Sequence, residues 1–219
     1  MSGSRLTPVD LVRQLSADPL IAMITEPESP AVPRVTEELG KAGLRAVEIT
    51  LTSPNALRAL SESVATEATL VGAGTIRDAD TVKRAVDAGA HYLLTPGVIP
   101  EVLAAAGELG VPVVCGAFTT TEVMEAHRLG AALVKLFPAR MGGPAYLASL
   151  TMAFPDIPIV PTGGITADDL AEYFAAGAHA AALGRPLIGD SLRGGELSGI
   201  RERSHALLEV ARSSRPGTP

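Results

Sequence analysis

Ala42-Gly43-Leu44-Arg45-Ala46-Val47-Glu48-Ile49-Thr50-Leu51 decides the fold of this chain. A glycine that ends a helix is followed at once by an apolar run carrying a single carboxylate. Glycine just past a helix takes the left-handed backbone that satisfies the last carbonyls. Ala46–Leu51 reads as a strand, and strand side chains alternate between two faces. Val47, Ile49 and Leu51 therefore share the face toward the helices, and Ala46, Glu48 and Thr50 share the other. The same punctuation recurs at Ala88-Gly89-Ala90, Leu129-Gly130-Ala131 and Ala176-Gly177-Ala178, with the glycines 46, 41 and 47 residues apart.

Working outward, strand-like runs stand at Leu20–Ile24, Ala46–Leu51, Thr69–Gly74, His91–Thr95, Pro112–Gly116, Leu133–Phe137, Pro158–Pro161 and Ala180–Gly184. They begin roughly every 20 to 26 residues, which holds one strand, one helix and two short loops. The punctuating glycines mark every second unit. Eight such units, with runs buried on both faces, predict an α/β fold, the (β/α)8 TIM barrel. An open doubly wound sheet is the runner-up, but it rarely needs eight regular units. Ser53-Pro54 reads as an N-cap followed by proline at the first helical position. Thr166-Ala167-Asp168-Asp169 places acid in a first helical turn. Thr7–Ala17 reads as an extra N-terminal helix closing the barrel floor. Residues 1–212 form one domain, and Ser213–Pro219, with no apolar anchor, reads as a loose tail.

The 219 residues are 47% hydrophobic and 19% charged, the balance of a folded chain rather than a disordered one. Twenty-four acidic against 18 basic residues leave a net charge of -6, which argues against nucleic acid as a partner. There is no Trp, and four Phe and three Tyr supply no stacking platform for single strands. The single cysteine, Cys115, excludes an internal disulfide and any zinc site of several thiolates. No stretch approaches the ~18 apolar residues of a membrane span, and Met1–Pro8 holds no apolar core of signal-peptide length. The expectation is a cytoplasmic protein with a small-molecule partner and no membrane.

In such a barrel the chemistry belongs at the C-terminal ends of the strands. Two charged residues stand inside apolar strands, Glu48 in the second and Lys135 in Leu133-Val134-Lys135-Leu136-Phe137, the sixth. Alternation turns both into the barrel, where even-numbered strands supply the same layer. An uncompensated charge there costs several kcal/mol. Such a pair is either a structural ion pair or an amine nucleophile with a carboxylate partner, since desolvation favours the neutral amine. Pro161-Thr162-Gly163-Gly164-Ile165-Thr166 follows the seventh strand, and Leu183-Gly184-Arg185-Pro186 ends the eighth. These loops are where barrels commonly hold phosphate, although Gly-Gly alone also makes a plain tight turn. Gly72-Ala73-Gly74-Thr75 after the third strand is either a plain loop or a turn whose Thr75 hydroxyl binds a carboxylate. Pro96 in Thr95-Pro96-Gly97 shapes a wall. His91 and His179 sit at strand starts, and His127 and His205 in helical stretches, so neither a His-ligated metal nor a Ser-His-Asp triad is expected.

From about Leu20 to Pro186, in matching order, the chain resembles the Schiff-base aldolases of 2-keto-3-deoxy-6-phosphogluconate and 2-keto-4-hydroxyglutarate. Glu48-Ile49-Thr50-Leu51 resembles their glutamate segment, Gly72–Thr75 their carboxylate turn and Thr95-Pro96-Gly97 their proline turn. Lys135-Leu136-Phe137-Pro138-Ala139 resembles the lysine segment and Pro161–Ile165 the phosphate loop. The resemblance implies a carbon–carbon lyase of sugar-acid breakdown in the Entner–Doudoroff route. It would cleave 2-keto-3-deoxy-6-phosphogluconate reversibly to pyruvate and D-glyceraldehyde 3-phosphate, or hydroxyglutarate to pyruvate and glyoxylate. It implies Lys135 as the imine-forming nucleophile, Glu48 as proton shuttle and Thr75 at the carboxylate, with Phe137 and Pro96 beside the pyruvyl group. The Thr162-Gly163-Gly164 loop and Gly184–Arg185 would hold the phosphate. No metal, no cofactor and a homotrimer are implied as well. Two positions depart. Thr52, followed by Ser53-Pro54, stands where the gluconate branch has arginine, and looks more like the phosphogalactonate branch. Arg185 stands where the family is small, and either restores that charge at the phosphate or caps the surface. A phosphate-binding isomerase or synthase would need a different acid or base at the strand ends. A non-catalytic barrel that binds a phosphorylated metabolite would keep Glu48 and Lys135 only as an ion pair.

Overall fold

The computed structural model describes residues 6–215. Its strands are β1 (Leu20–Ile24), β2 (Ala46–Thr50), β3 (Leu70–Gly74), β4 (Tyr92–Leu94), β5 (Val113–Ala117), β6 (Leu133–Leu136), β7 (Ile159–Pro161) and β8 (Ala181–Leu183). Each of the eight expected runs thus carries a strand, differing at most by one or two residues at an end. The helices are α1 (Pro8–Ala17), α2 (Val32–Lys41), α3 (Ala56–Val64), α4 (Ala79–Asp87) and α5 (Pro100–Leu109). They continue as α6 (Thr120–Arg128), α7 (Gly143–Ala153), α8 (Leu170–Ala175), α9 (Arg185–Ile188) and α10 (Gly199–Ser213). All strand pairs are parallel, in the order β7-β6-β5-β4-β3-β2-β1-β8, and a parallel bridge between Thr162 and Ala182 joins the two ends of the sheet. The architecture is a (β/α)8 barrel.

Alternation divides the apolar side chains into two cores. Val47, Ile49, Val134 and Leu136 pack outward against the helices. Ile21, Ala46, Tyr92, Leu94, Val114, Leu133 and Val160 fill the barrel, together with Leu11 and Leu15 from α1. Both α1 leucines are fully buried, so α1 plugs the floor as expected. Its first turn closes with a capping box, the Asp10 N–H donating to Thr7 Oγ1 at 3.2 Å and the Thr7 N–H to Asp10 Oδ2 at 3.2 Å. His179, at the same end, contacts the Val12 carbonyl at 3.1 Å and Ser16 Oγ at 3.2 Å. The other strand-start histidine, His91, accepts the Val71 N–H on Nδ1 at 3.0 Å.

The four punctuating glycines adopt φ of 90°, 94°, 87° and 93° at positions 43, 89, 130 and 177. In each case the next residue donates back across the helix end, as in Leu44 N–H to the Leu39 carbonyl at 3.1 Å. The expected cap at Ser53-Pro54 is corrected. These residues form a turn before α3, in which the Ala56 N–H donates to the Ser53 main-chain carbonyl at 3.1 Å. Asn55 occupies the cap position, and Ser53 Oγ is buried without a partner. The acid expected in the first helical turn at Asp168-Asp169 is also corrected: these residues form a turn ahead of α8, with Asp169 at the cap position and the Thr166 N–H donating to its Oδ1 at 2.7 Å, and the first-turn acid is Glu172. The expected tail is held where it is described. Ser213 closes α10, and the Arg215 guanidinium donates to the carbonyls of Ser16, at 2.6 Å, and of His179. A cation at carbonyl acceptors needs no apolar anchor. Residues 216–219 of that tail, and residues 1–5 of the leader reading, lie outside the described residues.

Two substitutions separate packing from backbone geometry. A Cβ at Gly130 meets no atom within 4 Å, so Gly130→Ala costs only the left-handed conformation, about 1–2 kcal/mol. Leu15→Ala opens a cavity in the barrel floor and costs about 2–5 kcal/mol. Urea unfolding of both variants measures this, and equal losses contradict it.

Candidate active site

Among the described residues, Glu48 and Lys135 are the only charged side chains that are buried, at 0% and 4% exposure. They stand on β2 and β6, four strands apart in an eight-stranded barrel and hence on opposite walls. Space for the carboxylate comes from β3. A Cβ on Gly74 would overlap Glu48 Oε1, and one on Gly72 would overlap the Tyr92 ring. The two glycines thus make room for the protein's own side chains. Tyr92 lies buried below Glu48, its hydroxyl donating to the Val47 carbonyl at 2.8 Å. Neither carboxylate oxygen of Glu48 has a hydrogen-bond partner, so the acid is not closed onto Lys135. Burial pushes the Glu48 carboxyl above the ordinary carboxylate range, and the Lys135 charge draws it partly back. Lys135 Nζ lies over the Phe137 ring, 5.2 Å from its centroid.

The loops around this pair are tightly specified. Thr75, directly after β3, has φ of 59°. A β-branched residue there is strained, at about 1–3 kcal/mol, and persists because its surroundings impose it. The next residue is anchored, the Ile76 N–H donating to the Leu94 carbonyl at 3.0 Å. Gly116 pairs with Lys135 in register, and a Cβ on it would overlap the backbone of Pro96, which fixes Pro96 beside the lysine. Thr95 Oγ1 accepts the Gly116 N–H at 3.0 Å and locks that wall. Cys115, beneath it, is buried, and burial pushes its thiol up.

Beyond β7 the chain turns through Gly163 and Gly164, with φ of 94° and 79°. The loop is tied to the segment after β6, where the Ala139 N–H donates to the Thr162 carbonyl at 2.8 Å and the Arg140 N–H to the Gly163 carbonyl at 3.1 Å. A cleft of about 660 Å³ opens here, lined among others by Phe137, Gly163, Gly164, Gly184 and Arg185. Thr162 is fully buried with its hydroxyl on the Val160 carbonyl at 3.2 Å, so it braces the loop from beneath. Arg185 Nη2 donates to Asp190 Oδ1 at 2.9 Å. Thr52 is exposed on the β2–α3 loop, outside the lining of this cleft. The structure thus brings Glu48, Lys135, Phe137, Pro96 and the glycine loop to one end of the barrel, with Thr75 at the same end.

Sequence reasoning missed Tyr92, Met23, Thr25 and Arg140. Tyr92 stands two residues before the inward-facing Leu94, and Met23 and Thr25, which line the cleft, follow Ile21 at the same spacing. Period two was the available signal. Arg140 carries none, because its packing against Gly164 joins separate loops. The remaining lysines are surface residues, with Lys41 Nζ 2.8 Å from Glu37 and Lys83 exposed on α4.

The raised Glu48 pKa fixes a sign for stability. The folded protein binds this proton more tightly than the unfolded chain, so the contribution is complete at low pH and is lost as pH rises through the raised pKa. Glu48→Gln carries no such term. Its thermal midpoint should gain on the wild type as pH rises above the ordinary carboxylate range, and a difference constant with pH contradicts the assignment.

Comparison with known proteins agrees with this geometry. The family model for KDPG and KHG aldolase matches residues 11–202. A 2-dehydro-3-deoxy-phosphogluconate aldolase of Pseudomonas aeruginosa is 37% identical over 158 residues, 71% of this chain and 72% of that protein. A probable 2-dehydro-3-deoxy-6-phosphogalactonate aldolase of Rhizobium meliloti is 32% identical over 193 residues, 87% of this chain and 90% of that one. The solved KDPG aldolase of Legionella pneumophila, with pyruvate captured as a covalent carbinolamine, superposes with a TM-score of 0.80 at 29% identity, covering 92% and 98% of the two chains. A barrel whose buried carboxylate and buried lysine lie within a match running from α1 into α10 belongs to the KDPG and KHG aldolase family.

Proposed function

We propose that this chain is a class I, lysine Schiff-base aldolase acting on a 2-keto-3-deoxy-6-phospho sugar acid, foremost 2-keto-3-deoxy-6-phosphogluconate. The observation that carries the reading is the uncancelled pair. Glu48 and Lys135 share the barrel interior, yet no hydrogen bond joins the carboxylate to the amine. A structural ion pair would close that contact to offset the cost of burial. The open arrangement leaves both groups for a substrate.

The steps follow from their chemistry. The Lys135 amine attacks the C2 carbonyl carbon; Glu48 in its protonated form gives up a proton, directly or through water, and the carbonyl oxygen leaves as water, forming an iminium. Glu48 takes the proton of the C4 hydroxyl, directly or through water. The C3–C4 bond breaks, its electrons pass to the iminium nitrogen as an enamine, and the aldehyde carbonyl forms at C4. D-glyceraldehyde 3-phosphate leaves, the proton returns to C3, and water hydrolyses the iminium to pyruvate. Burial raises the affinity of this carboxyl for that proton, and the Lys135 charge moderates the effect. In this reading Thr75 holds the substrate carboxylate, Phe137 and Pro96 flank the pyruvyl group, and the Gly163-Gly164 loop with Gly184–Arg185 receives the phosphate. Cleavage of 2-keto-4-hydroxyglutarate to pyruvate and glyoxylate uses the same steps. Assembly as a homotrimer in the cytoplasm is part of the proposal and rests on the family resemblance.

A second reading takes 2-keto-3-deoxy-6-phosphogalactonate as substrate. Thr52 favours it, since it presents no charge where the gluconate branch has arginine, as does the Rhizobium relative. The two acids differ in configuration at C4, so kcat/KM on each decides between them.

Incubation with pyruvate and borohydride tests the mechanism. The reduced adduct should map to Lys135 and not to Lys41 or Lys83. Lys135→Met should fold and form none, and Glu48→Gln should lower kcat about 10²–10⁴-fold. A folded wild-type protein that forms no adduct overturns the reading.

A further inference from the structure

One inward row of the barrel runs Glu48, Gly72, Tyr92 across β2, β3 and β4, since Glu48 pairs with Gly72 and Gly72 with Tyr92. The middle member has no side chain, and the outer two divide its space unequally. A Cβ on Gly72 would lie 2.5 Å from Cε2 and Cζ of Tyr92, and its three nearest atoms all belong to that ring. The Glu48 carboxylate stands one inward position further toward the strand ends. There its Oε1 takes the place of a Cβ on Gly74, the partner of Thr50.

The ring is held in its space. Tyr92 is fully buried, and its hydroxyl crosses the width of β3 to donate to the Val47 carbonyl at 2.8 Å, one residue before Glu48. Burial and the Glu48 charge both push the phenol up, so it stays protonated and keeps donating. Of the other neighbours of Glu48, Met23 is its partner on β1 and lines the cleft, and β3 presents Gly72 and Gly74. Among the described residues the ionisable groups that act with it are Lys135 from β6 and Tyr92 from β4.

We propose that Tyr92 is a positioning residue for the aldol step: its ring fills the space beneath Glu48 and holds the carboxylate toward the mouth, where a substrate bound to Lys135 can reach it. The role rests on the aldolase reading and deepens it. A glutamate side chain has several torsions, and here no hydrogen bond selects among them. Packing has to do so instead, and a catalytic group must be held close to its productive geometry.

The test uses the full chain and whichever C4 epimer the wild type cleaves, with kcat referred to the Lys135 sites that pyruvate and borohydride label. Tyr92→Leu removes the ring and should lower kcat about ten- to a hundred-fold, part of the loss expected for Glu48→Gln, with KM within about three-fold. The space it leaves is lined by a carboxylate and a freed carbonyl, and takes in water. Desolvation of Glu48 is thereby relieved, so its limb of the kcat profile should move to lower pH. Tyr92→Phe keeps the ring and should restore kcat and the profile to near wild-type values. Should Tyr92→Leu not fold, Tyr92→Met fills more of the core and carries the same expectation. Wild-type kcat and pH profile per labelled site in the truncated variant overturn the proposal, as does Tyr92→Phe as impaired as Tyr92→Leu. So does a loss of folded protein whose remaining sites are fully active, which is what a merely structural role predicts. Absence of labelling in the folded wild type overturns the aldolase reading instead.

Discussion

An acid and an amine must share a hydrophobic barrel without neutralising each other by contact, and most of the structure answers to that constraint. Burying a charge costs several kcal/mol unless a partner offsets it. Proximity would be the simple remedy, and the fold denies it by setting Glu48 and Lys135 on opposite walls. The residual cost appears as the upward shift of the Glu48 carboxyl. A strongly perturbed carboxyl in a cleft is where a functional site is sought.

The residues around the pair are chosen by its volume. Two inward positions on β3 are glycine because the Glu48 carboxylate and the Tyr92 ring occupy the space a Cβ would take. Gly116 on β5 is glycine because the Pro96 backbone lies over it, beside Lys135. Phe137 presents its ring to Lys135 and to Gly163 at once, linking the buried amine to the glycine loop. The strain of Thr75 and the orphaned carboxylate weaken this end of the barrel. The opposite end is built for stability, with Leu11 and Leu15 filling the floor and Arg215 tying the end of the described chain to it. Site and scaffold occupy opposite ends because the loops can vary freely only where the core does not depend on them.

Much of this was legible in advance. The glycines at 43, 89, 130 and 177 announced their own left-handed turns, since only backbone chemistry was at stake. Glu48 and Lys135 stood out because a charge inside an apolar strand has few explanations. The Ser53 cap failed because a Ser-Pro pair also suits a plain turn, and nothing local separates the two. The reason for Gly72 and Gly74 was not legible, because the space beside them is taken by side chains 20 or more residues away in sequence. Thr162 looked like a ligand contact and is a brace, because its hydroxyl finds a carbonyl two residues back.

By itself, then, the sequence determined everything that depends on local periodicity and on one residue's intrinsic chemistry. That covers the eight strands, the face each side chain takes, the helix-ending glycines and the identity of the buried charged pair. Only the tertiary structure decided what depends on distance between segments far apart in the chain. It left Glu48 unpaired, gave Gly74 its reason, turned Arg185 toward Asp190 and set Arg140 against Gly164. The physical reason is closure of the barrel, which makes neighbours of the loops after β6, β7 and β8 through a single bridge at Thr162 and the pairing of β6 with β7.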